Sequence, residues 1–174
     1  MSNLALSDYG RNGQVFTACN QAAATVTLIN TSTATGFILS NPFGSGKKLI
    51  LTNVTFQYTT VPTATAIVFY CMSVAPSPVA HASVTALTVY AGDGSGASNN
   101  AVGRAYSAST TPNLPVYVRP LGYSPTTPAT TGALTYALNP EGDLILVPGS
   151  YGQISYITTA PVGITSMTWI EVRA

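Results

Sequence analysis

Charge is what this sequence has least of. Among 174 residues there are 6 Lys and Arg, 5 Asp and Glu and 1 His, a charged fraction of 6 %, against roughly a quarter in an average soluble domain. The formal net charge is +1. No basic stripe is present to meet phosphates or anionic lipid, so neither nucleic acid nor a membrane is an expected partner. Long apolar runs are missing too, and no stretch approaches the roughly 20 residues that cross a bilayer. The start, MSNLALSDYGRNG, has neither the basic beginning nor the apolar core of a signal peptide. The expectation is a soluble chain made in the cytoplasm. Cysteine is scarce: Cys19 and Cys71 have no metal-ligand spacing. Without a secretion signal they are expected as two small buried apolar side chains rather than a disulfide.

Catalytic equipment is equally thin. His81 is the only histidine, so any Ser-His-Asp or Cys-His arrangement would have to use it. No GxSxG elbow accompanies it, and a lone histidine in a loop reads as surface. Glu141 and Asp143 flank Gly142 in the run NPEGD. Paired carboxylates can cleave glycosidic bonds, but Asn, Pro and Gly around them are turn chemistry. The run GDGSG at 92–96 resembles a fragment of a calcium loop or a phosphate cradle, and it lacks the further acids and the Gly-Lys-Ser/Thr end that either needs. The expectation is a protein that is not an enzyme, with no metal and no cofactor.

Helical periodicity is absent except over 18–24, which could hold one turn. What fills the chain is β signal. Runs rich in β-branched and aromatic residues are separated by Gly, Pro, Asn and Thr turns about eight to ten times. The longest is 47–59, preceded by the turn NPFGSG and followed, after a Thr/Pro turn, by AIVFYCMSVA at 66–75. These two are expected to form a central hairpin. Ile50, Val54, Phe56 and Tyr58 share one face of the first strand while Leu49 and Leu51 fall on the other, which predicts cover on both sides of its first half. Further strands are predicted at 14–18, 24–30, 36–40, 84–90, 115–120, 133–138 and 166–172, the one between Pro115 and Pro120 at a sheet edge. Strand 143–147 and segment 151–158 are expected as a hairpin around Pro148-Gly149-Ser150. With no crossover helices, the fold class is all-β: an antiparallel two-sheet sandwich, a jelly roll first and an immunoglobulin-like sandwich second. Residues 1–13 read as an N-terminal arm and 14–174 as one domain with long loops at 91–113 and 122–132.

Function is therefore sought in surfaces. Near-zero net charge favours association, and tyrosine gives a large contact area at low entropic cost. The interface candidates are Tyr9 and Arg11 in the arm, and Arg104, Tyr106, Tyr117 and Tyr123 in or beside the loops.

Several blocks occur in an order that resembles small β-sandwich structural proteins of tailed bacteriophages. They are GRNG at 10–13, TGFILSNP at 35–42 followed by SGK at 45–47, EGDLILVPGS at 141–150, and the closing WIEV at 169–172. The resemblance implies a virion component, most directly a capsid decoration or cement protein, a homotrimer whose partners are the major capsid protein and its own copies. It brings no catalytic residues. A tail or fibre component, or a carbohydrate-binding β-sandwich module, would share the same composition.

Overall fold

The structure, a computed structural model, describes residues 6–60, 64–98, 100–124 and 134–174. It is an all-β sandwich of two sheets, antiparallel apart from one short parallel pairing. The strands are β1 Val15–Cys19, β2 Ala24–Thr25, β3 Thr27–Leu28, β4 Thr33–Ser40, β5 Lys47–Thr60, β6 Ala66–Ser73 and β7 Ala82–Leu87. There follow β8 Val89–Ala91, β9 Arg104–Thr110, β10 Pro115–Ser124, β11 Thr135–Leu138, β12 Ile145–Leu146, β13 Tyr151–Thr158 and β14 Val162–Arg173. Sheet A runs β11-β5-β14-β1-β8, with β12 also on β5 and β2 on β14. Sheet B runs β10-β6-β13-β4-β9-β7, with β3 on β13.

Both expected hairpins are corrected. β5 lies in sheet A and β6 in sheet B; β12 lies in sheet A and β13 in sheet B. Each pair is an arch that carries the chain across the sandwich. Local sequence marks a turn equally well in either case, because it does not encode which sheet the next strand joins. Two other predicted strands are each divided between the sheets. β2 and β3 sit on either side of buried Val26, and β7 and β8 on either side of Thr88. Such crossings between sheets are what Greek-key sandwiches use. The β9 and β7 strands extend sheet B beyond β4.

The two-faced pattern of β5 also has a different cause. Leu49, Leu51, Val54, Phe56 and Tyr58 are all buried in one core cluster. The register against β14 slips between Thr168↔Asn53 and Trp169↔Leu51. This bulge adds one residue, so the inward phase moves from odd to even positions. Ile50 is consequently on the outer side, only partly covered.

The core between the sheets also takes Phe16, Phe37, Leu39, Val68, Tyr70, Leu146, Ile154, Met167 and Trp169. A smaller cluster, Ala34, Ile38 and Tyr151 with Tyr106 against it, lies on the outer face of sheet B. Connections 74–81 and 111–114 cover it: His81 packs on Tyr106 and Tyr151, the Tyr151 hydroxyl donates to the Asn113 carbonyl at 2.5 Å, and the Asn113 amide donates to the Ala75 carbonyl at 2.8 Å.

Four boundary expectations change. The expected loop 91–113 contains β9, whose alternation of Ala105 and Ser107 against Tyr106 and Ala108 is too weakly apolar to announce a strand. Of the loop at 122–132, residues 122–124 belong to β10, and the remainder lies outside the described residues. Within the arm, Leu6–Arg11 form helix α1, closed by the Gln14 N–H on the Tyr9 carbonyl (2.9 Å) and by Gly13 at φ +63°. A helix of 6 residues is too short to show a period. The turn expected over 18–24 is instead the end of β1 and the entry to β2.

Candidate interaction surface

Three connections meet at one end of the sandwich. Asn41, fully buried, is their tie. Its Nδ2 donates to the Lys47 carbonyl (2.8 Å) and the Leu146 carbonyl (2.9 Å), and its Oδ1 accepts from Ser45 Oγ (2.7 Å). The Gly149 N–H donates to the Asn41 carbonyl at 2.8 Å, and the Ser77 N–H to the Gly149 carbonyl at 2.9 Å. Gly149 has φ +87°, and a Cβ there would meet the Ser77 carbonyl at 2.8 Å and the Phe43 ring at 3.0 Å, so glycine is required. These bonds present Phe43, Val74 and Val79 to solvent, each more than 60 % exposed. Leu114, at 46 %, stands beside Val74, whose N–H donates to its carbonyl.

A second tie lies at the same end, on the core side. Glu171 is 1 % exposed. Its carboxylate accepts from the N–H of Val102 (2.9 and 3.1 Å) and Gly103 (2.9 Å), from Trp169 Nε1 (3.2 Å), and from the Lys47 ammonium (3.2 Å). It fixes segment 101–103 and, through it, the start of β9. The sequence carried the signal: Glu171 continues the inward alternation Met167, Trp169.

The six interface candidates do not form one patch. Tyr9 is half-buried and Arg11 exposed on α1. Arg104 is exposed at the start of β9, its Nη1 donating to the Ala101 carbonyl at 2.8 Å. Tyr106 is half covered by His81. Tyr117 stacks on Phe69 with ring centroids 4.5 Å apart and stays 41 % exposed; Tyr123, on the same strand, is 64 % exposed. In sheet B, β9 and β10 are separated by three strands, about 19 Å at the usual strand spacing.

β10 is an edge strand of sheet B among the described residues, as Pro115 and Pro120 suggest, and its pairing with β6 slips twice. At the opposite edge, β7 pairs with β9 through two further slips. Bulges and prolines are how sheets resist edge-to-edge growth. Contacts are therefore left to side chains on the faces and ends. The outer face of sheet A is rich in hydroxyls that bond one another, as Thr17 with Thr168 (3.1 Å) and Thr55 with Ser166 (2.6 Å).

The residues weighed for chemistry are placed as follows. Asp143 pairs with Arg119 at 3.1 Å on the surface, and Glu141 and Gly142 form a left-handed turn. Within a glycine turn, the Ser95 hydroxyl first and then the Ser95 N–H, which donates to Asp93 at 2.9 Å, lower the Asp93 carboxyl from its ordinary value. No group of three or more His, Cys, Asp or Glu converges among the described residues, and no described helix is long and apolar enough to cross a membrane. Cys19 and Cys71 are both free; Cys71 is buried as expected, while Cys19, near the end of β1, is only half-buried, and burial pushes the Cys71 thiol up to about 12.

His81 is less ordinary than its loop suggests. Its Nδ1 bonds Ser109 Oγ at 2.7 Å, and its ring contacts Tyr106 and Tyr151 with centroids 5.4 and 5.2 Å away. Burial lowers its pKa from 6.5 to about 4, so it is neutral near pH 7. It borders a cleft of about 170 Å³ walled by Phe43, Pro78 and Tyr106.

Comparison with known protein families, with curated proteins and with solved structures gives no match to this chain.

Proposed function

We propose that this chain is a non-enzymatic structural subunit of a virion, a decoration or cement protein that stabilises a phage head by bridging neighbouring capsid subunits. The observation that carries the reading is the sandwich end built on Asn41. There Phe43, Val74, Val79 and Leu114 are held exposed by buried hydrogen bonds, on a chain with almost no charge. Exposed apolar residues supported in this way are the anchors that association uses, and the bulged edges of sheet B disfavour growth there by strand addition. Tyr117, near the start of β10 beside Leu114, and Tyr123 farther along the strand add aromatic area. The partners are the major capsid protein and further copies of the chain, as a trimer, and the location is the virion.

The test is quantitative mass spectrometry of purified particles together with the solution mass of the purified chain. Stoichiometric copies per particle and a trimeric mass are expected, with particles stripped of the protein rupturing at lower temperature. Absence from particles, or a strictly monomeric chain that leaves rupture unchanged, would overturn the reading. Cryo-electron microscopy density on the tail rather than the head would transfer the role to a tail or fibre component.

A further inference from the structure

We infer that the cleft beside His81 is a binding site for a single neutral saccharide unit. Four observations converge on it. Its lining contains no charged side chain, so nothing there favours an anion or a cation. Phe43 and Tyr106 supply aromatic faces and Pro78 a further apolar wall, the partners that the C–H face of a sugar ring takes. Ser40, Ser77 and His81 are polar members of the same lining, the Ser77 hydroxyl already accepting from the Val79 N–H at 3.1 Å. Finally, Gly149 keeps the cleft open, since a Cβ there would press on Phe43 and Ser77.

His81 is the group that gives the site direction. Ser109 engages Nδ1, and the two tyrosine rings fix the plane of the imidazole. Its Nε2 has no partner among the described residues and is not buried. If Ser109 donates, Nε2 carries a proton for a sugar oxygen; if Nδ1 donates, Nε2 accepts from a sugar hydroxyl. Either way a neutral hydroxylated ligand is satisfied, and the ring needs no reorientation. The volume of about 170 Å³ corresponds to on the order of five waters, which suits one ring rather than an extended chain. A larger depression of about 490 Å³ beside Asn20 is walled by Ala22, Ala23 and Ala24, with no aromatic side chain.

This inference does not depend on the assembly reading. The experiment is two-dimensional NMR of the full chain titrated with neutral mono- and disaccharides, and in parallel with a uronic acid and a sialic acid. Neutral sugars are expected to shift the amides of residues 40–43, 77–81 and 149, with a dissociation constant in the millimolar range. Phe43→Ser should weaken binding by about tenfold, while Phe43→Trp should retain it. Phe43 is 64 % exposed, so neither substitution threatens the fold. The inference is overturned if no neutral sugar shifts these amides at tens of millimolar, if the acidic sugars bind equally well, or if Phe43→Ser leaves binding intact. Copy number per particle and solution mass are measured on the unsubstituted chain without sugar, so their outcome is independent of these titrations and the two readings fail separately.

Discussion

Replacing Glu171 tests the interior of the molecule most directly. In Glu171→Ala the N–H groups of Val102 and Gly103 and the Trp169 indole N–H lose their common acceptor, and the Lys47 ammonium loses its counter-ion. An orphaned buried donor costs about 1–3 kcal/mol. Water entering the vacated volume relieves part of this, so the expected loss is about 3–5 kcal/mol, the range found when one partner of a buried ion pair is removed. That is a large share of the roughly 5–15 kcal/mol that holds a domain together.

The comparison variants separate the contributions. Lys47→Met leaves the buried Glu171 carboxylate without its counter-ion but with its N–H donors in place, and is expected to cost less than Glu171→Ala, about 1–2 kcal/mol. Glu171→Gln keeps one acceptor oxygen but turns an amide N–H₂ toward donors, and should fall between at about 2 kcal/mol. Urea titration followed by fluorescence is the assay. Trp169 is the single tryptophan, is fully buried and donates to Glu171 itself, so its emission reads both unfolding and the local bond. Should Glu171→Ala prove unfolded, Glu171→Gln against Lys47→Met carries the comparison. A Glu171→Ala chain within 1 kcal/mol of the parent, or a Lys47→Met chain as damaged as Glu171→Ala, would refute the assignment of the N–H groups as the dominant partners.

Three further outcomes are expected. Asn41→Ala should cost about 2–4 kcal/mol by orphaning the Lys47 and Leu146 carbonyls, and Asn41→Asp should be no better because a carboxylate cannot donate to them; thermal unfolding would show it. Burial holds the His81 pKa near 4 against 6.5 in water, so the unfolded chain takes the proton first: the stability His81 contributes is complete above pH 6.5 and is lost as the pH falls toward 4. The full shift would correspond to about 3.4 kcal/mol. Screening of the partly exposed ring reduces this to roughly 1–2 kcal/mol, and urea midpoints measured from pH 7 to 4 should flatten by that amount in His81→Asn. Tyr123→Ser, at an exposed position, should move stability by no more than about 0.5 kcal/mol yet weaken self-association or particle binding; sedimentation alongside a melting curve distinguishes the two effects.

The inward phase of the fold was legible where one residue type repeated at period two. The prolines of β10 announced an edge, and the spacing of Glu171 after Met167 and Trp169 carried a signal for its buried place that its charge obscured. Two things were not legible for the same physical reason, that local chemistry specifies a turn but not its destination. The chain leaving β5, and again the chain leaving β12 at Pro148-Gly149-Ser150, could have returned within one sheet or crossed to the other, and both cross. Likewise, Leu49 and Leu51 against Val54 and Phe56 read as two covered faces until the bulge opposite Trp169 reconciles them as one.

The site was less legible than the fold because charge usually flags function, and this chain has little to flag with. Tyrosine content pointed to β9 and β10, which the sheet order separates, while among the described residues the most exposed large apolar side chains besides Tyr123 are Phe43, Val74 and Val79 in connections between strands. Their common feature is support from behind: Asn41, Ser77 and Gly149 use up their backbone groups in holding the turns together. A chain with few charges cannot steer or orient a partner over distance. Its selectivity must then come from shape at contact, which requires that the contacting residues be fixed before the partner arrives. The buried hydrogen bonds of Asn41 and the aromatic box around His81 both serve that requirement, and each leaves its outward side, a phenylalanine in one case and an imidazole nitrogen in the other, free to be used.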